Sequence, residues 1–214
     1  MRTASGLRRR ALLGIAAGVA AAPLLGSAAF AAPPKIYIDP GHGGSDPGAA
    51  ANGMTEKNIT LDIALRTRAI LLDNWNVSVR MSRTTDVTRS LTFRTDDANS
   101  WGASLFVSIH INSGGGTGFE SYVFPGAGAR TLRLQDEVHA AVLANMREIG
   151  SVTNRGQKQE NFHVLRETTM SAVLTENLFI DTTHDANLLR RDDFRQRTAR
   201  GHARGIARFL GLIA

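Results

Sequence analysis

The run Ser104-Leu105-Phe106-Val107-Ser108-Ile109 is apolar or β-branched on both of its alternating faces, and nothing else in the chain restricts the fold as much. Side chains alternate across a strand, so a strand apolar on both faces needs a covering layer on each side. That is the setting of a central strand in a parallel sheet. Further short strands are predicted at Lys35–Asp39, Asn76–Met81, Gly118–Phe124, Phe162–Arg166 and Ala172–Glu176. Between them lie stretches with helical spacing. Thr55 or Asn58 can cap a helix carrying Ile59, Ile63, Ala64 and Ile70, and Leu91–Ala98, Thr131–Met146 and Arg195–Leu212 complete the set. Strands alternating with helices predict an α/β fold, a single domain with a mainly parallel mixed sheet flanked by helices on both faces. Gly150–Glu160 reads as a short polar connection.

The amino terminus has a different character. Arg8-Arg9-Arg10 supplies a positive block, Ala11–Ala22 a mildly apolar run broken by Pro23, and Ala29-Phe30-Ala31 an A-x-A cleavage signal. Residues 1–31 are therefore expected to be an export signal that is removed, with no stable membrane anchor afterwards. Arg8-Arg9-Arg10-Ala11-Leu12-Leu13 matches a twin-arginine signal, the alternative being a general secretory signal with an extra arginine. The expected destination is the periplasm, cell wall or extracellular space.

Composition matters at two points. The chain has no cysteine, so any metal must sit on His, Asp or Glu. Lys and Arg exceed Asp and Glu by 25 to 19, but setting aside Arg2, Arg8, Arg9 and Arg10 leaves 21 against 19. The remaining domain, residues 32–214, is nearly neutral, which argues against nucleic acid as a partner.

The candidate chemistry lies where predicted strands end. His42 follows the first strand within Asp39-Pro40-Gly41-His42-Gly43-Gly44, His110 closes the strongest strand, Glu176 closes the last, and Glu56 opens the first helix. Ligands of open α/β sheets gather at the carboxyl ends of the strands, so these residues are expected at one edge. Two imidazoles and one carboxylate can hold a zinc ion and leave a coordination position for water. His42, Glu56 and His110 fit that count, manganese or cobalt being possible occupants too, and Glu176 is then placed to carry the proton. The glycines at 41, 43 and 44 allow a ring to approach. Asp39 is a candidate to steady a ligand ring by hydrogen bonding, and Asn112 and His163 are further supporting or substrate-contacting candidates. His139, His184 and His202 read as packing or surface residues. A phosphate cradle is disfavoured, because no Gly-Lys-Ser or Gly-Lys-Thr follows the loop, and there is no H-E-x-x-H helix.

The set Asp39-Pro40-Gly41-His42-Gly43-Gly44-x-Asp46-Pro47-Gly48-Ala49, Glu56-Lys57, Ser108-Ile109-His110-x-Asn112 and Val173-Leu174-x-Glu176 resembles the zinc-dependent N-acetylmuramoyl-L-alanine amidases of the Amidase_3 type, from about Lys35 to Leu212. The resemblance implies a zinc amidase catalytic domain acting on peptidoglycan, cutting between the lactyl group of N-acetylmuramic acid and the L-alanine of the stem peptide. It puts His42, Glu56 and His110 on the family's zinc ligands, one ion per chain, and Glu176 on its catalytic glutamate. The sequence departs from the family's last motif, which often reads Glu-x-Gly-Phe followed by an Asn. Here Leu178 replaces the glycine and Thr182 the asparagine. The competing readings are a zinc carboxypeptidase or peptidase on cell-wall peptides, and a non-catalytic wall-binding module.

Overall fold

The computed structural model describes residues 32–213, so the expected export signal at residues 1–31 lies outside the described residues. Strand β1 (Lys35–Pro40) leads into a loop and a two-stranded hairpin, β2 (Ala50–Ala51) with β3 (Met54–Thr55), followed by helix α1 (Glu56–Asn74). Next come β4 (Ser78–Met81), α2 (Leu91–Trp101), β5 (Leu105–Asn112), β6 (Phe119–Val123) and α3 (Ala129–Arg147). The chain ends with β7 (Asn154–Gln159), α4 (His163–Arg166), β8 (Ser171–Phe179), α5 (Thr183–Arg190) and α6 (Asp192–Phe209).

Six strands form one sheet in the order β4-β1-β5-β8-β6-β7. β4, β1, β5 and β8 run parallel, β6 is antiparallel to β8, and β7 is parallel to β6. Alternation along the strands divides their side chains between two cores. Ile36, Ile38, Val107, Ile109 and Val173 pack with α1, α3 and α6, through Ile63, Leu71, Val138, Val142 and Ile206. Tyr37, Phe106, Ala172 and Leu174 face the other way and meet Ala98 of α2 and Val164 and Leu165 of α4. Each fully buried aliphatic side chain contributes about 1.5–3 kcal/mol relative to exposure, so the sheet is stabilised from both sides. Tyr37 and Phe106 stack with ring centroids 5.5 Å apart.

Local signals set the helix ends. Ser90 caps α2 by accepting from the N–H of Phe93 at 3.0 Å, and Gly102 stops the helix in a left-handed conformation, φ 69°. Among the described residues no helix is long and apolar enough to cross a membrane.

Two segments differ from the sequence expectations. Phe162–Arg166, expected as a strand, is a single turn of helix that buries the adjacent residues Val164 and Leu165 against the sheet. Gly150–Glu160, expected as a connection, contains β7 at the sheet edge. Its Asn-Arg-Gly-Gln-Lys-Gln sequence is polar and mostly exposed, and α3 meets it through the polar side chains of Gln135 and His139.

Candidate metal centre and cleft

The parallel arrangement of β1, β5 and β8 brings His42, His110 and Glu176 to one edge of the sheet, and α1 starts at that edge with Glu56. In the register, His110 on β5 lies directly beside Glu176 on β8, and Glu176 lies beside Glu120 on β6. The donor atoms of His42, Glu56 and His110 all fall within 4.8 Å of one another. Glu56 is the hinge of the group. Its Oε2 is 3.1 Å from His42 Nε2 and accepts from the N–H of Ala49, while its Oε1 is 3.0 Å from His110 Nδ1 and accepts from the N–H of Ile111. Donors sharing one tetrahedral ion at about 2.1 Å would lie ~3.4 Å apart, so these spacings and this donor set fit a divalent cation.

Glycines make the approach possible. A Cβ on Gly41 would stand 2.3 Å from His110 Cε1, and a Cβ on Gly48 would stand 2.5 Å from Glu56 Oε2 and 2.7 Å from His42 Cδ2. His42 itself sits at φ 61°, a conformation unusual for a side-chain-bearing residue and held by its surroundings. Three consecutive carbonyls of its loop are received by two arginines that run under it. Arg94 donates to the oxygens of Pro40 and His42, each at 2.8 Å, and Arg83 donates to those of Pro40 at 3.1 Å and Gly41 at 2.8 Å.

The charges follow from this packing. Burial pushes the Glu56 carboxyl up, but its bonds to His110 and His42 outweigh burial and hold it well below the usual carboxylate range. Burial lowers His42, while Glu56 and Asp46 raise it further, to about 8. A metal-ligating imidazole must be neutral, so protons compete with a cation for these ring nitrogens. Glu176 behaves in the opposite way to Glu56. Burial pushes it up to about 7, helped by the nearby Glu56 and Glu120 and opposed by His110. Its Oε2 is buried with no hydrogen-bond partner.

The three supporting candidates are placed differently from one another. Asp39 makes no hydrogen bond to either ring. Its carboxylate accepts from Ser82 and Arg94 at 2.6 Å and from Ser108 at 2.8 Å, so the expectation that it steadies a histidine is corrected to a role beneath the loop. Asp46 takes the place beside the ring, with Oδ2 2.8 Å from His42 Nδ1. Asn112 points its amide to Glu120 Oε1 at 2.7 Å. His163 opens α4 and lines a cleft of about 480 Å³ together with His42, His110, Glu176, Leu91 and Phe162. A larger hollow of about 730 Å³, between the β2–β3 hairpin and Leu189–Arg190, contains none of the four central residues. His139 and His202 are buried packing residues, bonded to Ser121 and Asn154 and to Thr175 and Thr198, and His184 reaches the Ser151 carbonyl.

Sequence reasoning missed Asp46, Arg83, Arg94 and Glu120. Asp46 had a signal, a carboxylate four residues after His42 in a turn. Glu120 had another, a lone acid within Phe119-Glu120-Ser121-Tyr122-Val123. The two arginines had none, because arginine reads as a surface residue until the loop above it is known.

The model of the Amidase_3 family, described as N-acetylmuramoyl-L-alanine amidase, matches residues 36–208. The chain is 56% identical over 179 residues to N-acetylmuramoyl-L-alanine amidase CwlM of Bacillus licheniformis, covering 83% of this chain and 69% of that protein. It is 54% identical, over the same shares, to the sporulation-specific N-acetylmuramoyl-L-alanine amidase of Bacillus subtilis. Among solved structures, the catalytic domain of CwlV from Bacillus (Paenibacillus) polymyxa superposes with a TM-score of 0.78 at 33% identity, covering 84% of this chain and 99% of that one. An N-acetylmuramoyl-L-alanine amidase from Clostridium difficile superposes with a TM-score of 0.80 at 30% identity, covering 86% and 100%.

Proposed function

The chain belongs to the N-acetylmuramoyl-L-alanine amidase family and is a hydrolase of peptidoglycan, and from that premise we propose how its own residues perform the reaction. His42, Glu56 and His110 hold one zinc ion, and Glu176 carries the proton. The observation behind this reading is the convergence of three donor groups within 4.8 Å, beside the buried Glu176 carboxyl, whose Oε2 has no hydrogen-bond partner and which burial pushes up to about 7.

A zinc ion bound at these residues supplies polarisation of the substrate carbonyl and a water acidic enough to attack at neutral pH. The protein does the rest. Asp46 fixes the orientation of the His42 ring through Nδ1, leaving Nε2 for the metal side. Arg83 and Arg94 keep the loop from yielding. Glu176 accepts the proton that the attacking water loses and delivers it to the amide nitrogen as the carbon–nitrogen bond breaks. The products are the lactyl carboxylic acid and a stem peptide with a free L-alanine amino terminus. His163 completes the cleft wall and contacts substrate there.

We further propose that residues 1–31 direct export by the twin-arginine route and are removed after Ala31, so that the hydrolase works in the periplasm or cell wall. Amino-terminal sequencing of the secreted protein tests that boundary. For the chemistry, Glu176→Ala should keep its zinc and lose about a hundredfold or more in turnover, whereas His42→Ala should lose the metal. Undiminished turnover in Glu176→Ala would refute the assignment. Mass spectrometry of digested murein separates the competing enzyme class, since a peptidase would leave shortened peptides still joined to sugar.

A further inference from the structure

The row of residues that contains the catalytic candidates does not stop at Glu176. Across β5, β8 and β6 the register runs His110, Glu176, Glu120, and β7 lies beyond as the edge strand. Because alternate residues share a face, Glu120 and Tyr122 lie on the same face as Glu176 and Leu174, the face on which the cleft opens. Glu120 is 2% exposed and accepts from four donors. Asn112 and Tyr122 approach its Oε1 at 2.7 and 2.8 Å, Arg155 Nε approaches Oε2 at 2.8 Å, and Lys158 Nζ meets the same oxygen.

One buried carboxylate needs one countercharge, and this one has two, so the cluster carries a surplus positive charge. The surplus is presented outward. Arg155 commits only Nε to Glu120, its Nη1 and Nη2 have no hydrogen-bond partner among the described residues, and its side chain is 33% exposed. Its guanidinium also packs over the Phe179 ring, 4.9 Å from the centroid, which together with the Nε bond fixes the plane of the fork. A planar fork held in this way, with both terminal nitrogens available, is the geometry that receives a carboxylate in two parallel bonds.

We propose that Arg155 and Lys158, braced by Glu120, form a carboxylate-binding subsite for the peptide half of the substrate. The direction rests on the reading of Glu176 as the group that protonates the leaving nitrogen, because the released peptide then lies on the Glu176 side of the broken bond, towards β6 and β7. Adjacent strands are about 4.8 Å apart, so β7 is ~10 Å from β8, the reach of two or three extended peptide residues. The site therefore selects an acidic side chain or α-carboxylate two or three residues along from the cleaved bond.

The test uses the zinc-loaded protein and two synthetic muramyl peptides that differ only in carrying a free carboxylate or a carboxamide on the second residue. The wild type should favour the carboxylate about tenfold in kcat/KM, as one charge-assisted contact supplies. Arg155→Gln should abolish that preference through KM rather than kcat, with metal content and thermal midpoint retained, since Lys158 still partners Glu120. Lys158→Gln, which leaves Arg155 as the partner, should weaken the preference in the same way. Equal wild-type rates on the two peptides would overturn the subsite and leave the amidase reading intact, as would a loss in Arg155→Gln that is the same for both peptides. Failure of the wild type to cleave either peptide would overturn the reading of the reaction and the subsite with it.

Discussion

Replacing Gly41 with alanine tests how closely the loop and the β5 ring are fitted. The added Cβ would stand 2.3 Å from His110 Cε1 and 2.6 Å from both ring nitrogens. Carbon atoms in contact prefer about 3.5–4.0 Å, so one side must retreat by ~1 Å or more. The loop cannot supply that movement. Gly41 donates its N–H to the Ile109 carbonyl at 3.0 Å, and its own carbonyl accepts from Thr60 at 2.9 Å and Arg83 at 2.8 Å. The ring must therefore move, and metal–ligand distances tolerate only about 0.2 Å. The expected result is a loss of at least about a hundredfold in zinc affinity, a comparable loss of activity, and a cost of about 1–3 kcal/mol in stability from overpacking. Zinc affinity would be measured by competition with a chelator, activity by release of peptide from murein, and stability by thermal denaturation of the metal-free protein. Gly128→Ala is the control, because a Cβ there meets nothing within 4 Å, and it should stay within about 1 kcal/mol of wild type. If Gly41→Ala bound zinc within about threefold of wild type, the fit between loop and ring would not govern the site, against the usual sensitivity of ligand geometry.

Two other outcomes follow from groups around the centre. Asp46→Ala removes the partner of His42 Nδ1 and should weaken zinc binding about 10–100-fold while leaving the fold in place, measured by the same competition. His202 is fully buried, and burial lowers its ring to about 4 although its bond to the Thr198 carbonyl works the other way. An unfolded histidine titrates near 6.5, so as pH falls from about 6.5 through 4 the unfolded chain takes up the proton first and stability drops, on the order of 3 kcal/mol in all. Thermal midpoints across that range should fall more steeply for wild type than for His202→Gln, and parallel curves would contradict the assignment.

The parts of this protein that could be read from sequence are those where burial imposes a period. β5 is apolar on both faces because it is central, and the strand ends then located His42, His110 and Glu176 at one edge. Where burial imposes no period, the reading failed. β7 is polar because its side chains are mostly exposed and α3 meets it through Gln135 and His139, and Phe162-His163-Val164-Leu165 has the composition of a strand although tertiary packing sets it as a helical turn. The ion pairs under the loop were invisible for a different reason. Asp39 and Arg94 are 55 positions apart and meet at 2.6 Å only because β1 and α2 pack together. Leu178 shows how a departure from family pattern is accommodated. It adopts φ 73°, the conformation a glycine at this position takes without strain, yet its side chain is fully buried, so packing holds the backbone in a left-handed turn. That turn coincides with the register shift between β5 and β8.

The strand order has a temporal side. All three residues assigned to the metal are synthesised by position 110, but the assigned proton carrier arrives on β8, which slots between β5 and β6 after every other strand has left the ribosome. A chain that stops before β8 carries all three donors in its sequence but lacks the assigned proton carrier. Its assigned set of four residues is therefore complete only once the last strand has joined β5 to β6.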